Sequence, residues 1–239
     1  MGGSGYRSMG WPLTAVAVTL LSLVVHGLLR SSAGVRASFC RKCGEATGQA
    51  RMVLFGRLSG VLLLGLVPAA AALAVGQRLS DLGLNFGRPG RVFGYGAALA
   101  AVLVAVNVLA GKNAAHLAAY PEIRLARWTP GLLAASASGW AAYLVAYEFL
   151  FRGFFLFSLA AAAGLGWAVA ADTAVYALAH LPKGVRETLG AIPLGGVLCL
   201  VSFDVGNIWP AVLAHLGLAL SGEWLSLARN PSMSVGWKK

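Results

Sequence analysis

The sequence predicts an all-α protein, a polytopic transmembrane helical bundle of about seven spans. Three observations predict it. Of 239 residues, 58% are hydrophobic and only 11% are charged, against roughly 25% charged in an ordinary soluble domain. Mean hydropathy is +0.74. The charges are also widely spaced, with 22 uncharged residues between Arg7 and Arg30, 20 between Arg57 and Arg78, and 19 between Arg152 and Asp172. A spanning helix needs about 20 largely apolar residues. A soluble globular enzyme, a disordered chain and a fibrous repeat are thereby excluded.

Taken in order, the spans fall near 11–29, 53–76, 93–111, 132–158, 160–181, 188–203 and 208–227. The first apolar run is longer than a typical signal-peptide core and is followed by six more, so it reads as a retained helix. The start, Met1 to Tyr6, lacks the Ser or Thr of a myristoylation motif. Residues 1–239 form one integral membrane domain, and 31–52 form a basic loop after the first span. Small residues crowd the spans, as in Ala69–Ala74 and Ala160–Gly166, which permits close helix packing.

Net charge is +11. In a soluble protein that balance would point to nucleic acid. Here the basic residues lie in short loops and set topology, so no nucleic-acid partner is expected. Four of them (Arg7, Arg78, Arg88 and Arg91) fall on one side of the membrane. Fourteen fall on the other: Arg30, Arg36, Arg41, Lys42, Arg51, Arg57, Lys112, Arg124, Arg127, Lys183, Arg186, Arg229, Lys238 and Lys239. The excess predicts a cytoplasmic C-terminus and an N-terminus outside.

Three cysteines make no disulfide framework. Cys40 and Cys43, in Cys-Arg-Lys-Cys, look like one knuckle of a zinc ribbon, which supplies two of four ligands. The plainer reading is a pair of reduced cytoplasmic thiols. Zinc shared with a second protomer or a partner is the alternative.

Function is sought among ionisable groups inside the spans, each of which costs roughly 2.5–3.5 kcal/mol on insertion scales. They are His26, Glu148, Arg152, Asp172, His180, His215 and Glu223, with Glu187 and Asp204 at span ends. Glu148 and Arg152 are four apart and share a helix face with the acid N-terminal, the better orientation. Asp172, Tyr176 and His180 share a stripe, and Pro182 ends that helix. His215 lies in the last span with Glu223 two turns further on. The plain reading is helix-helix hydrogen bonding. The functional reading is one convergent site on three neighbouring spans.

One carboxylate and two imidazoles suffice to hydrolyse a peptide bond, the carboxylate taking a proton from water and an imidazole N–H steadying the oxyanion. Alternatively, His180, His215 and Glu148 would hold zinc with an open fourth position. The residues leave both chemistries open, and zinc is the one cofactor they admit.

At these positions the sequence resembles the CPBP family, the intramembrane CAAX proteases and bacteriocin-processing enzymes. The family's pattern is Glu-Glu-x-x-x-Arg, then Phe-x-x-x-His, then His-x-x-x-Asn on successive helices. Tyr147, Glu148 and Arg152 match the first motif, with Phe151 and Gly153 also fitting. Tyr176 and His180 match the second, and His215 with Ala219 the third. The order and spacing hold over roughly 130–228, which the resemblance makes the catalytic core. There are two departures. Tyr147 replaces the Glu credited with activating water, and Ala219 replaces the Asn. The chain looks like a single-Glu branch, in which Glu148 or Glu187 takes the missing carboxylate's role and Tyr147, Asp172 and Glu223 are accessory candidates.

The resemblance implies an intramembrane endopeptidase acting on membrane-anchored or tail-anchored substrates within the lipid bilayer, with Arg152 orienting Glu148, Glu148 as base, and His180 and His215 on the oxyanion or a metal. A bacterial plasma membrane is the expected location. Two other readings compete: a catalytically inactive scaffold or immunity protein, and a small transporter using Asp172, Glu148 and Arg152 as a relay. For Glu148 to meet His180, residues 124–138 are expected to lie along the interface, with the fourth span starting later. The thiol pair carries its own test: zinc content unchanged in Cys40→Ser protein would remove the zinc knuckle.

Overall fold

A computed structural model describes residues 4–87, 89–110 and 113–236. Arg88, Lys112, Lys238, Lys239, the Met1–Gly3 start and the side chain of Arg7, all used above, lie outside the described residues. The chain is a helical bundle. Its helices are α1 (Ser4–Ser31), α2 (Ala33–Cys43), α3 (Glu45–Ala74), α4 (Pro89–Ala110), α5 (Ala114–Ala119), α6 (Pro130–Ala163), α7 (Leu165–Ala179), α8 (Val185–Val205) and α9 (Trp209–Arg229). Two of them change pitch within their length, α3 over Val61–Leu66 and α6 over Phe149–Phe155, where the backbone is π-helical.

Among the described residues six helices are long and apolar enough to cross a membrane: α1, α3, α4, α6, α8 and α9. The fifth expected span, 160–181, is divided differently. Residues 160–163 complete α6, and Gly164, at φ +84°, turns the chain into α7. Glycine is suited to that conformation because it has no Cβ. The 15 residues of α7 reach about 22 Å at 1.5 Å per residue, less than the roughly 30 Å of a hydrocarbon core.

The fourth span also differs from expectation. Of residues 124–138, 124–129 lie outside α6, whereas 130–138 are its first turns. Thr129 caps the helix by accepting from the Leu132 N–H at 3.2 Å, and Pro130 occupies the first turn, where its missing N–H costs nothing. The 34 residues of α6 extend about 50 Å. Glu148 therefore sits near its middle. With 72% of its apolar window buried, against 17–50% for the other five, α6 is the central helix.

Contacts between loops define the two ends of the bundle. At one end the Ile208 N–H donates to the Gly83 carbonyl at 3.2 Å, Asn85 Nδ2 to the Gly206 carbonyl at 2.9 Å, and Arg91 pairs with Asp204 at 3.1 Å. At the other, Arg30 pairs with Glu122 at 2.9 Å, Gln49 Nε2 donates to the Glu122 carbonyl at 2.8 Å, and a short parallel pairing joins Arg127–Trp128 to Ser234–Val235. This second end carries most of the basic loop residues. A buried side chain also knits the helices. Asn107 of α4 donates to the Leu218 carbonyl at 2.7 Å and to Ser221 Oγ at 2.8 Å.

Arg57 corrects the charge assignment made from the sequence. It is not a loop charge. It lies within α3, 4% exposed, and its Nη2 reaches Glu223 Oε2 at 3.0 Å and Glu122 Oε2 at 3.3 Å. Its Nη1 donates to Ser136 Oγ at 2.7 Å, and its guanidinium stacks 4.2 Å from the Trp140 ring. Glu223 accepts further bonds from Trp140 Nε1 at 2.8 Å and from Ser136. Breaking a buried pair by removing one partner costs about 3–5 kcal/mol, because the other charge stays buried. Arg57→Met should therefore lower the melting temperature in detergent markedly. Arg36→Ala, which breaks an exposed pair with Glu45, should leave it unchanged. Differential scanning fluorimetry measures both.

Candidate active site

The site is built where α6 changes pitch. A π-helical turn inside an α-helix is uncommon and often marks a functional position. It presents Glu148 and Arg152, both fully buried, to the bundle interior. Arg152 Nε lies 3.4 Å from Glu148 Oε2. The other oxygen, Oε1, is 2.6 Å from His215 Nδ1 of α9. Arg152 also stacks 4.1 Å over the Tyr176 ring, and its Nη2 donates to the Gly195 carbonyl at 3.5 Å. The glycine at 153 is required by a close approach: a Cβ there would stand 2.5 Å from the Leu82 carbonyl oxygen.

The two histidines are arranged alike. His180 caps the C-terminus of α7, and its Nδ1 lies 2.8 Å from the Tyr176 carbonyl oxygen. A carbonyl oxygen only accepts, so this Nδ1 carries the proton. The Glu148 carboxylate likewise accepts from His215 Nδ1. A neutral imidazole has one donor and one acceptor nitrogen. In both rings the free Nε2 is then a bare lone pair.

His180 and His215 line a cavity of about 560 Å³ at the basic end, together with Tyr147, Tyr176 and Glu187. Tyr147 brings the pair together, its ring centroid 6.4 Å from that of His180 and 5.8 Å from that of His215. Further out the wall includes Arg30, His116, Tyr120, Lys183 and Arg186. Glu148 and Arg152 do not reach the cavity; they stand behind its wall. Glu187 lies on it, 3.9 Å from Lys183.

Two accessory candidates are elsewhere. Asp172 is fully buried and accepts from Cys199 Sγ at 3.0 Å, on the far side of Arg152 from the cavity. Glu223 is held by Arg57, Ser136 and Trp140 and does not line the cavity. Eight residues separate it from His215, about 12 Å along α9 and roughly 80° around it.

The zinc set of His180, His215 and Glu148 does not fit. Glu148 and His215 face each other through Oε1 and Nδ1 rather than a common point, and among the described residues no three His, Cys, Asp or Glu groups are placed to hold an ion. Cys40 and Cys43 occupy the last turn of α2, not the turn of a zinc knuckle. Desolvation and then Glu45 push the Cys40 thiol up.

Outside the spans, burial opposes ionisation of Glu122, but Arg30, Lys183 and Arg57 outweigh it and hold its carboxyl below the usual range. Burial, reinforced by Glu187 and Glu122, raises Tyr120 above the ordinary phenol.

Sequence reasoning missed Arg57, Glu122, Ser136, Trp140 and His116. Arg57 carried a signal, since it falls four residues inside the second expected span. The others sit in loops or read as ordinary span residues.

A bundle of apolar helices long enough to span a membrane, with a buried Glu–Arg–His cluster behind a cavity lined by tyrosines and histidines, defines a class of intramembrane protein. Residues 127–221 match the family model for the Rce1-like type II CAAX prenyl endopeptidases. That match is consistent with the CPBP resemblance over the same stretch. No curated protein and no solved structure matches the chain.

Gly153→Ala tests the packing behind the cluster. Overpacking of this kind costs about 1–3 kcal/mol, so the variant should melt earlier in detergent, with no direct contact to the cavity lost.

Proposed function

We propose that the protein is an intramembrane endopeptidase that hydrolyses a peptide bond of a membrane-anchored substrate, with His215 as the general base. The observation that carries this is the 2.6 Å contact between Glu148 Oε1 and His215 Nδ1 at the wall of the cavity. The Rce1-like match over 127–221 supports the reaction class.

The roles differ from those the resemblance alone implies. Glu148 is fully buried, with one oxygen on His215 and the other beside Arg152. A water in the cavity cannot reach it. Glu148 is then a positioning residue: it fixes the His215 tautomer and stabilises the imidazolium, as the buried carboxylate does in a Ser-His-Asp triad. Arg152 keeps that carboxylate ionised. Nε2 of His215 takes a proton from water, and Nε2 of His180 accepts the second water hydrogen. Two acceptors on one water leave an oxygen lone pair for the scissile carbonyl. Glu187 acts with Lys183 at the cavity wall rather than as the base. The basic end of the bundle faces the cytoplasm, which puts the C-terminus there and lets the cavity meet substrate segments from that side.

Termini of membrane peptides, quantified in cells expressing wild type or His215→Ala, test this reading. Cleavages present only with wild type are expected. Identical terminal profiles, like those of an inert scaffold, would overturn it. On a peptide so identified, Glu148→Gln should lower kcat by about 10³-fold or more, in line with the loss of an orienting carboxylate elsewhere. KM should stay near wild type, while the melting temperature should fall, because Arg152 is left buried without its counter-charge. Glu187→Gln should keep kcat within about tenfold, the modest effect of a group that is not the acid–base catalyst.

A further inference from the structure

The reaction needs a hydrogen-bond donor for the oxyanion, and neither imidazole offers one. His180 donates Nδ1–H to the Tyr176 carbonyl, and His215 donates Nδ1–H to Glu148. Their Nε2 atoms are acceptors. The alanine at 219 has no polar atom and lies on the cavity wall. The Trp140 N–H, also on that wall, is committed to Glu223, and the Asn107 amide to Leu218 and Ser221.

Tyr147 remains. Its ring stands edge-on to both imidazoles, at interplanar angles of 84° and 80°, and it lines the cavity. Among the described residues its hydroxyl is neither hydrogen-bonded nor sealed from the cavity. Tyr176 also touches both rings, but it is pinned over the Arg152 guanidinium. A phenol is a donor at neutral pH. Tyr147 is also adjacent in sequence to Glu148, so the residue that orients the base and the residue facing the substrate share one turn of α6.

We propose that Tyr147 is a catalytic residue whose O–H donates to the oxyanion of the tetrahedral intermediate. The proposal rests on the reading of His215 as base. His215 Nε2 takes a proton from water, and the water oxygen bonds to the carbonyl carbon. The carbonyl π pair moves onto its oxygen, which accepts from the Tyr147 hydroxyl. The pair returns, the C–N bond breaks, and the leaving nitrogen takes the proton from His215 Nε2. One water is consumed, a carboxylic acid and an amine are released, and no redox change occurs. The position at which the resemblance puts a water-activating carboxylate thus serves here as an electrophile, and the base has moved to the last helix.

The test uses the full-length protein in detergent and the membrane peptide identified by its His215-dependent cleavage. Tyr147→Phe removes one oxygen and keeps the ring. Its kcat should fall about 10²–10³-fold, the usual loss of one oxyanion donor, with KM within a few-fold of wild type. A phosphinate analogue of the same peptide, which carries the oxyanion, should bind the variant more weakly while the uncleaved peptide binds equally. 3-Fluorotyrosine at 147 keeps both ring and hydroxyl, so it serves as a folding-neutral second variant and should retain activity. Unchanged kcat and unchanged phosphinate affinity in Tyr147→Phe overturn the donor role alone, provided cleavage still depends on His215. Absence of any His215-dependent cleavage by wild type overturns both the donor role and the protease reading.

Discussion

The buried charge of Glu148 is the constraint around which the molecule is organised. A carboxylate with no solvent contact inside a membrane bundle must be compensated within hydrogen-bond reach. The compensation comes from two directions. Arg152 reaches it from the next turn of α6, and His215 reaches it from α9. Arg152 in turn lies against Tyr176 of α7 and the Gly195 carbonyl of α8. One charge therefore fixes the relative placement of four helices. The same requirement aims one nitrogen of His215 at the wall and leaves the other for the cavity. Structural necessity and chemical poise are here one set of contacts.

A second buried charge acts at a different level of the same central helix. Arg57 is enclosed by Glu122, Glu223, Ser136 and Trp140, which joins α3, the loop before α6, α6 and α9. Three of its partners lie on the first turns of α6 or at the far end of α9, one level nearer the basic end than His215. The cavity occupies the space between these two clusters. Its walls carry tyrosines and histidines rather than aliphatic side chains alone, because the elements around it are held by polar anchors instead of filling the gap with apolar packing.

The positions that match the family's motifs fall on the wall of one cavity or directly behind it. A tyrosine in a carboxylate's position and an alanine in an amide's position read as losses along the chain. In space the carboxylate that remains lies against His215, and Tyr147 lines the cavity beside both imidazoles. Tyr147 and Glu148 share one turn of α6, and Ala219 lies on α9 at the cavity wall.

Much of this was legible without coordinates. Long uncharged gaps require apolar helices, since a lipid core admits little else. The cost of an ionisable group in a span made Glu148, Arg152, His180 and His215 conspicuous, and they do converge. Helical periodicity, however, reports only which face a residue occupies. It put Glu223 with His215, whereas height along the helix separates them and hands Glu223 to Arg57. Counting gaps treated Arg57 as a loop charge, because a charge near a span's end looks the same whether it meets water or a buried acid. The Cys-x-x-Cys spacing fits a turn and the end of a helix equally, and α2 is the latter. The sequence by itself determined the class of fold and the inventory of costly side chains, because burial energy depends on residue type and local run length. Only the tertiary structure decided which nitrogen each imidazole leaves free and which carboxylate it answers to, because hydrogen-bond direction depends on the partner brought in from another helix.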